Sequence, residues 1–239
     1  MLLFKARPRR DPAQRADITE SQKRIMRTVM AAMDEVRNQV IRDEGKLLDL
    51  INHASIDKIV NSISVEPWLD MQSVIQEELL GELLDAGRRV KLPTIQKATL
   101  TYRFDANRPE AAAWAATEAG KLVKDIIESQ REVIRKFISD DTAEAKPPRD
   151  IARDLRDVVG LTEEQGVWVR NHREREVTRL VGEGKTFTQA SDLADKSTER
   201  YQKRIHRYRT ETIARTETLR ASNEGMNQAW QQGLQEGFI

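Results

Sequence analysis

The residues best placed for metal or acid–base chemistry are three histidines, His53, His172 and His206. No two stand three or four positions apart, the spacing a helix needs to aim both rings at one ion, and no His-Glu-x-x-His occurs. His172 is flanked by Arg170, Arg173 and Arg175, whose charges oppose a bound cation. The chain has no cysteine, which excludes disulfides and thiolate zinc sites and fits a reducing compartment. Gly182-Glu-Gly-Lys-Thr186 has the residue types of a phosphate loop but neither its spacing nor a preceding strand. The carboxylate pairs Asp140-Asp141 and Glu163-Glu164 fall at apparent helix ends or in linkers, and at a helix start such as Glu163-Glu164 the helix dipole accounts for acidic residues. No catalytic, metal or cofactor-binding residue is assigned, and the expectation is a protein that is not an enzyme.

A different chemistry is written between Tyr208 and Trp230. Ala214, Thr218, Ala221, Gly225, Ala229 and Gly233 follow one another at steps of four or three and share one helix face. Small side chains on one face let a neighbouring backbone approach closely. Around this stripe stand Arg209, Glu211, Arg215, Glu217, Arg220 and Asn223. The simpler reading is a solvated helix whose Glu211 and Arg215 pair at i, i+4. The reading preferred here is a helix docked tightly against a neighbour and held in register by polar contacts. Arg215 is expected to offer its guanidinium fork to groups on a neighbouring helix. Glu217 is expected to accept from Arg220 or from another chain.

The elements that must carry these residues are helices. Ile25, Val29, Met33, Val36 and Val40 recur at helical steps within a helix expected from about Pro12 to Asp43. Two shorter helical pieces follow between Leu47 and Ile63. Pro67 suits the first turn of a helix that carries Trp68, Ile75, Leu79, Leu83 and Val90. The pairs Leu79-Leu80 and Leu83-Leu84 widen its apolar arc, so two neighbours are expected, and the excess could serve self-association. Leu100, Tyr102 and Phe104 alternate with polar residues, a pattern for a short strand or extended connector. Pro109 opens a long helix expected to reach about Asp140, and Pro147-Pro148 marks a linker. Gly160 suits a left-handed C-terminal cap, and Thr162-Glu-Glu-Gln165 is a capping box for a helix running to about Val181. The last helical region, Thr188 to about Gln235, is long enough that a break near Thr210 is expected. The fold class is therefore all-α: an elongated multi-helix protein with at most one short β element near residues 94–106. Its expected organisation is a basic arm over residues 1–12, an N-terminal helical region over 13–93 and a helical domain over 94–239.

Four stretches in order carry a family resemblance. Ile213-Ala-Arg-Thr-Glu217, with Ala221, Asn223, Gly225 and Trp230 after it, resembles the signature of the phage Mu F-like minor head proteins, the phage head morphogenesis family. Phe104-Asp-Ala-Asn-Arg-Pro-Glu-Ala-Ala-Ala-Trp114, followed by Gly120 to Ile126, looks like that family's entry into its long central helix. Ile151-Ala-Arg-Asp-Leu-Arg156 and Gly160-Leu-Thr-Glu-Glu-Gln165 are similar to its next two elements. The likeness covers roughly Tyr102 to Gly233. Two departures stand out: Ile239 falls where many relatives continue into a His- and Asp-containing tail, and no enzymatic domain is appended. The resemblance marks Arg209, Ile213, Arg215, Thr216, Glu217, Ala221, Asn223, Gly225 and Trp230 as family-motif and helix-docking residues. It implies a structural minor head protein of a tailed bacteriophage that binds portal or major capsid protein during procapsid assembly and DNA packaging or ejection. Its place would be the virion head, near the portal vertex or inner capsid face, after assembly in the host cytoplasm.

Composition is compatible with that expectation. Among 239 residues, charged side chains reach 33%, above the usual globular share, which suits long amphipathic helices around a narrow core. A net charge of +1 gives no global attraction to nucleic acid. Local basic clusters do occur: Arg7, Arg9 and Arg10 near the start, and Arg200, Lys203, Arg204 and Arg207 on one stretch of helix. They support the alternative of a non-sequence-specific DNA-binding helical accessory protein, or incidental contact with packaged DNA. No apolar stretch approaches membrane-spanning length, so no membrane partner is expected. The apolar run at the N-terminus is too short for a signal peptide.

Overall fold

The structure is a computed structural model that describes residues 19–92 and 102–238. Among these residues it holds nine helices and no strand. They are α1 (Glu20–Arg42), α2 (Glu44–His53), α3 (Ile56–Ser62), α4 (Glu66–Asp70), α5 (Gln72–Arg89), α6 (Pro109–Ala143), α7 (Pro148–Val158), α8 (Glu163–Gly182) and α9 (Phe187–Gln235). The all-α expectation holds. Residues 102–106 form no strand, and the rest of the expected β segment lies outside the described residues.

Local sequence chemistry places the helix starts. Thr19, Thr162 and Thr186 each form a capping box with the glutamine three residues on, giving one design at the heads of α1, α8 and α9. Thr19 is itself extended, so α1 begins at Glu20 and not near Pro12. Gly160 takes φ +74° between α7 and α8, where an added Cβ would also strike Met33. The expected linker around Pro147-Pro148 is a tight turn. Ala145 adopts φ 52°, Lys146 N donates to Asp141 O at 3.0 Å, and Pro148 opens α7. The helix expected from Trp68 to Val90 divides instead at Met71, whose buried side chain joins the core.

The largest correction concerns α9. It runs unbroken for 49 residues, about 74 Å at 1.5 Å per residue. No proline or glycine falls between Phe187 and Glu224 to interrupt it. Thr210, where the sequence suggests a break, is fully buried and its hydroxyl donates to Arg207 O within the helix. The polarity around Thr210 is there to meet a buried turn, not to end a helix.

One core cluster runs from Ile25 on α1 through α5, α6 and α7 to Ala229 on α9. The boundary read at residues 93–94 therefore does not divide the core, and that segment lies outside the described residues. Helix α5 packs chiefly on α9 and α6, and on α1 as well. Leu79 and Leu83 are fully buried while Leu80 and Leu84 pack partly buried against the same core. The wide leucine arc thus has its neighbours within the chain and is not the surplus surface that its width suggests. Beyond this body, α8 and the first half of α9 form an antiparallel hairpin with two thin clusters of their own, one built on Leu161, Val169, Tyr201 and Ile205 and the other on Leu180, Ala190 and Ala194.

Candidate functional site

The site is α9 itself, and its central feature is a backbone-to-backbone contact. Ala214, Thr218, Ala221, Gly225, Ala229 and Gly233 are all buried. At Gly225 a Cβ would lie 2.0 Å from Leu83 O and 3.0 Å from Gly87 N, so the α5 backbone occupies the place of a side chain. The glycine hydrogen there points at the Leu83 carbonyl, a weak C–H···O contact of the kind found where helices touch. Polar bonds pin the register of this contact. Gln22 Nε2 on α1 donates to Thr218 Oγ1 at 2.9 Å, and Ser222 Oγ donates to Glu82 on α5. Further along, Tyr102 Oη donates to Ala229 O at 2.9 Å. Gln232 accepts from Asp105 N at 3.0 Å and donates to Arg103 O at 3.0 Å.

Half a helix earlier, three side chains on one face of α9 hold the α7–α8 turn. Gln202 Nε2 donates to Asp157 O at 2.8 Å and Arg156 O at 3.2 Å. His206 Nε2 lies 2.9 Å from Val159 O, and Arg209 Nη1 donates to Gly160 O at 2.9 Å. From α6, Gln130 accepts from Gly160 N. The three α9 side chains satisfy carbonyls at and just past the end of α7 that lack helical partners, and Gln130 satisfies the Gly160 N–H. Because a carbonyl only accepts, Nε2 of His206 carries the proton. Burial holds this imidazole neutral by lowering its pKa to about 4. Burial also pushes the Arg209 guanidinium down to about 10, which leaves it cationic near neutrality.

The sequence-selected residues divide in two. Arg209, Glu217, Ala221 and Gly225 are buried in the docked face, and Ile213 packs beside it. Glu217 is paired with Arg220 at 3.4 Å, and burial raises its carboxyl above the usual range despite that cation. Thr216 and Asn223 are exposed, and Trp230 is 47% exposed, so none of these three docks the helix. Arg215 does not reach a neighbouring helix. It pairs with Glu211 on its own helix at 3.0 Å, which corrects the expectation of an interhelical fork. The anchor that sequence reasoning missed is the trio Gln202, His206 and Arg209. Its signal is the i, i+4, i+7 spacing, but nothing in the sequence identifies the turn it grasps.

The remaining candidates have ordinary settings. Arg200, Lys203, Arg204 and Arg207 are exposed on one side of α9, with Lys203 paired to Glu199 at 3.2 Å and Arg204 over the Tyr201 ring at 5.1 Å. Arg7, Arg9 and Arg10 lie outside the described residues. His53 is exposed beside Asp49, and His172 stacks on Tyr201 at 4.4 Å between centroids. Asp141, read as one of a carboxylate pair at an apparent helix end, is fully buried in the last turn of α6, where Lys146 and Arg170 each approach Oδ1 to 2.7 Å. Among the described residues no cluster of three or more His, Asp or Glu is disposed to hold a metal ion. Among the same residues no helix is long and apolar enough to cross a membrane.

No family model, curated protein or solved structure matches this chain.

Proposed function

We propose that this chain is a structural minor head protein of a tailed bacteriophage, one that works by binding through helical surfaces. In this reading it joins the procapsid, contacts portal or major capsid protein, and supports head assembly and DNA packaging or ejection. What supports the reading is the ordered set of four stretches resembling the Mu F-like family, taken with where they lie. They occupy the entry to α6, the body of α7, the α7–α8 turn and the middle of α9. Three of these places meet at one cavity, lined by Leu122 and Ile126 of α6, Thr162 and Gln165 after the α7–α8 turn, and Ile213 of α9. The resemblance therefore follows one connected substructure and not scattered surface positions. The test is to express the chain with the portal and major capsid proteins of the same genome and isolate the assembled heads. The proposal predicts that the chain co-purifies in a small, constant number of copies per head. Heads that form normally and never contain it would refute it.

A second reading, non-sequence-specific DNA binding, is favoured by one observation: Arg200, Lys203, Arg204 and Arg207 share an exposed face. Glu199 and Glu211 dilute that face, and the net charge of the chain is only +1. Phosphate-driven binding weakens steeply with salt, which separates it from helix docking.

A further inference from the structure

The cavity where α6, the start of α8 and the middle of α9 meet has a volume of about 310 Å³, at the small end of the ~300–1,000 Å³ range of ligand pockets. Leu122 and Ile126 of α6 and Ile213 of α9 make its apolar wall. Two of the polar side chains that line it, Arg209 and Gln165, are nine-tenths or more buried, at 9% and 8% exposure. Both have donors to spare. Arg209 Nη1 donates to Gly160 O, and among the described residues no carboxylate pairs with the guanidinium. Gln165 uses its side-chain oxygen to accept from Thr162 N at 3.2 Å, which leaves its NH₂ without a bond to the described residues. A carbonyl needs no cation to satisfy it. About two turns earlier on α9, neutral Gln202 serves both Arg156 O and Asp157 O with one amide. A buried charge without a counter-charge is costly, so an arginine at position 209 calls for an anion beside it.

We infer that this cavity is a binding site for a small monocarboxylate that carries an aliphatic tail. One unbalanced guanidinium calls for one negative charge, and its planar fork matches the two oxygens of a carboxylate. Gln165 adds a neutral donor from the α8 side. Asp125, exposed on α6 in the same lining, repels a more highly charged anion such as a phosphate monoester. Leu122, Ile126 and Ile213 give the tail an apolar surface to cover. The site is complete within one chain and does not depend on the proposed role in heads.

The full chain is titrated calorimetrically at pH 7 with sodium octanoate, and in parallel with 1-octanol and octylamine, neutral and cationic probes with the same tail. One octanoate should bind per chain, about tenfold or more tighter than octanol, as expected of hydrogen bonds to a charged group. Octylamine should not bind. Arg209→Gln retains an amide donor for Gly160 O and should reduce octanoate to the affinity of octanol. Ile213→Trp fills the cavity from a partly buried position and should abolish binding of both, with the helical circular dichroism spectrum unchanged. Absence of octanoate binding to the wild-type chain overturns the proposal, as does equal affinity for octanoate and octanol, and neither result depends on how the variants fold. Octanoate binding that survives unaltered in folded Ile213→Trp or folded Arg209→Gln overturns it equally.

Discussion

Replacing Gly225 by alanine sets two effects of known size against each other. Alanine is favoured over glycine in a helix interior by about 1 kcal/mol, so propensity alone predicts a more stable protein. The new methyl, however, would sit 2.0 Å from Leu83 O and 2.9 Å from Leu83 C. These are backbone atoms within α5, so no rotamer change relieves the clash. The helices must part by roughly 1 Å, and a gap of that size forfeits a quarter to a half of each dispersion contact along the seam. Overpacking costs about 1–3 kcal/mol, and with a backbone obstacle the upper end applies. After the propensity gain, a net loss of about 2 kcal/mol is expected, a melting shift of roughly 4–8 °C for a chain of this size. Gly81 supplies the control. It lies in α5 with nothing within 4 Å of its would-be Cβ, so Gly81→Ala should stabilise by about 0.5–1 kcal/mol. Urea and thermal unfolding of the two variants beside wild type decide the matter. If Gly225→Ala is as stable as Gly81→Ala, α9 does not rest on the α5 backbone.

Protonation of buried His206 should make stability depend on pH. Its pKa is 6.5 in an exposed state and about 4 in the fold, so the unfolded chain takes the proton first. Stability is then complete above about pH 6.5 and falls by about 3 kcal/mol as pH drops to 4. Urea titrations from pH 7 to 4 should show this slope in wild type and lose it in His206→Gln. Arg209→Ala leaves Gly160 O without its donor and should cost about 1–3 kcal/mol, whereas Arg215→Ala removes only a partly exposed pair within one helix and should cost about 0.5 kcal/mol or less. Equal effects in denaturant unfolding would contradict the assignment of Arg209 as the anchor. Asp141→Ala removes the carboxylate that Lys146 and Arg170 share, while Lys146 keeps its pairs with Asp154 and Glu144, and should cost about 1–3 kcal/mol. A melting temperature within a degree of wild type would show that this cluster is open to solvent.

What can be read in the sequence follows from how local its cause is. Capping at Thr162, the turn at Gly160 and the apolar steps from Ile25 to Val40 depend on neighbours a few residues away, and each appears where expected. The T-x-x-Q pattern at Thr19 and Thr186 is equally local, yet apolar steps taken without it place the start of α1 too early. The small-residue stripe announces a close contact without saying that its partner is α5, because no local rule links Gly225 to Leu83. Arg215 and Arg209 illustrate the same limit. Both are arginines on one helix, yet only three-dimensional packing brings a glycine carbonyl to Arg209 and leaves Arg215 to its own Glu211. The false break at Thr210 has this origin too, since polarity in mid-helix reads as exposure until a buried turn comes to meet it.

The central functional claim is that this chain acts by docking helical surfaces onto head proteins and not by following DNA phosphates. The most direct measurement is its co-sedimentation with portal-containing procapsids and, in parallel, with duplex DNA as sodium chloride is raised. Helix docking predicts that binding to procapsids persists at high salt, while any association with DNA collapses as counterion release requires. Binding to DNA alone, lost steeply with salt and absent from procapsids at every salt concentration, would contradict it.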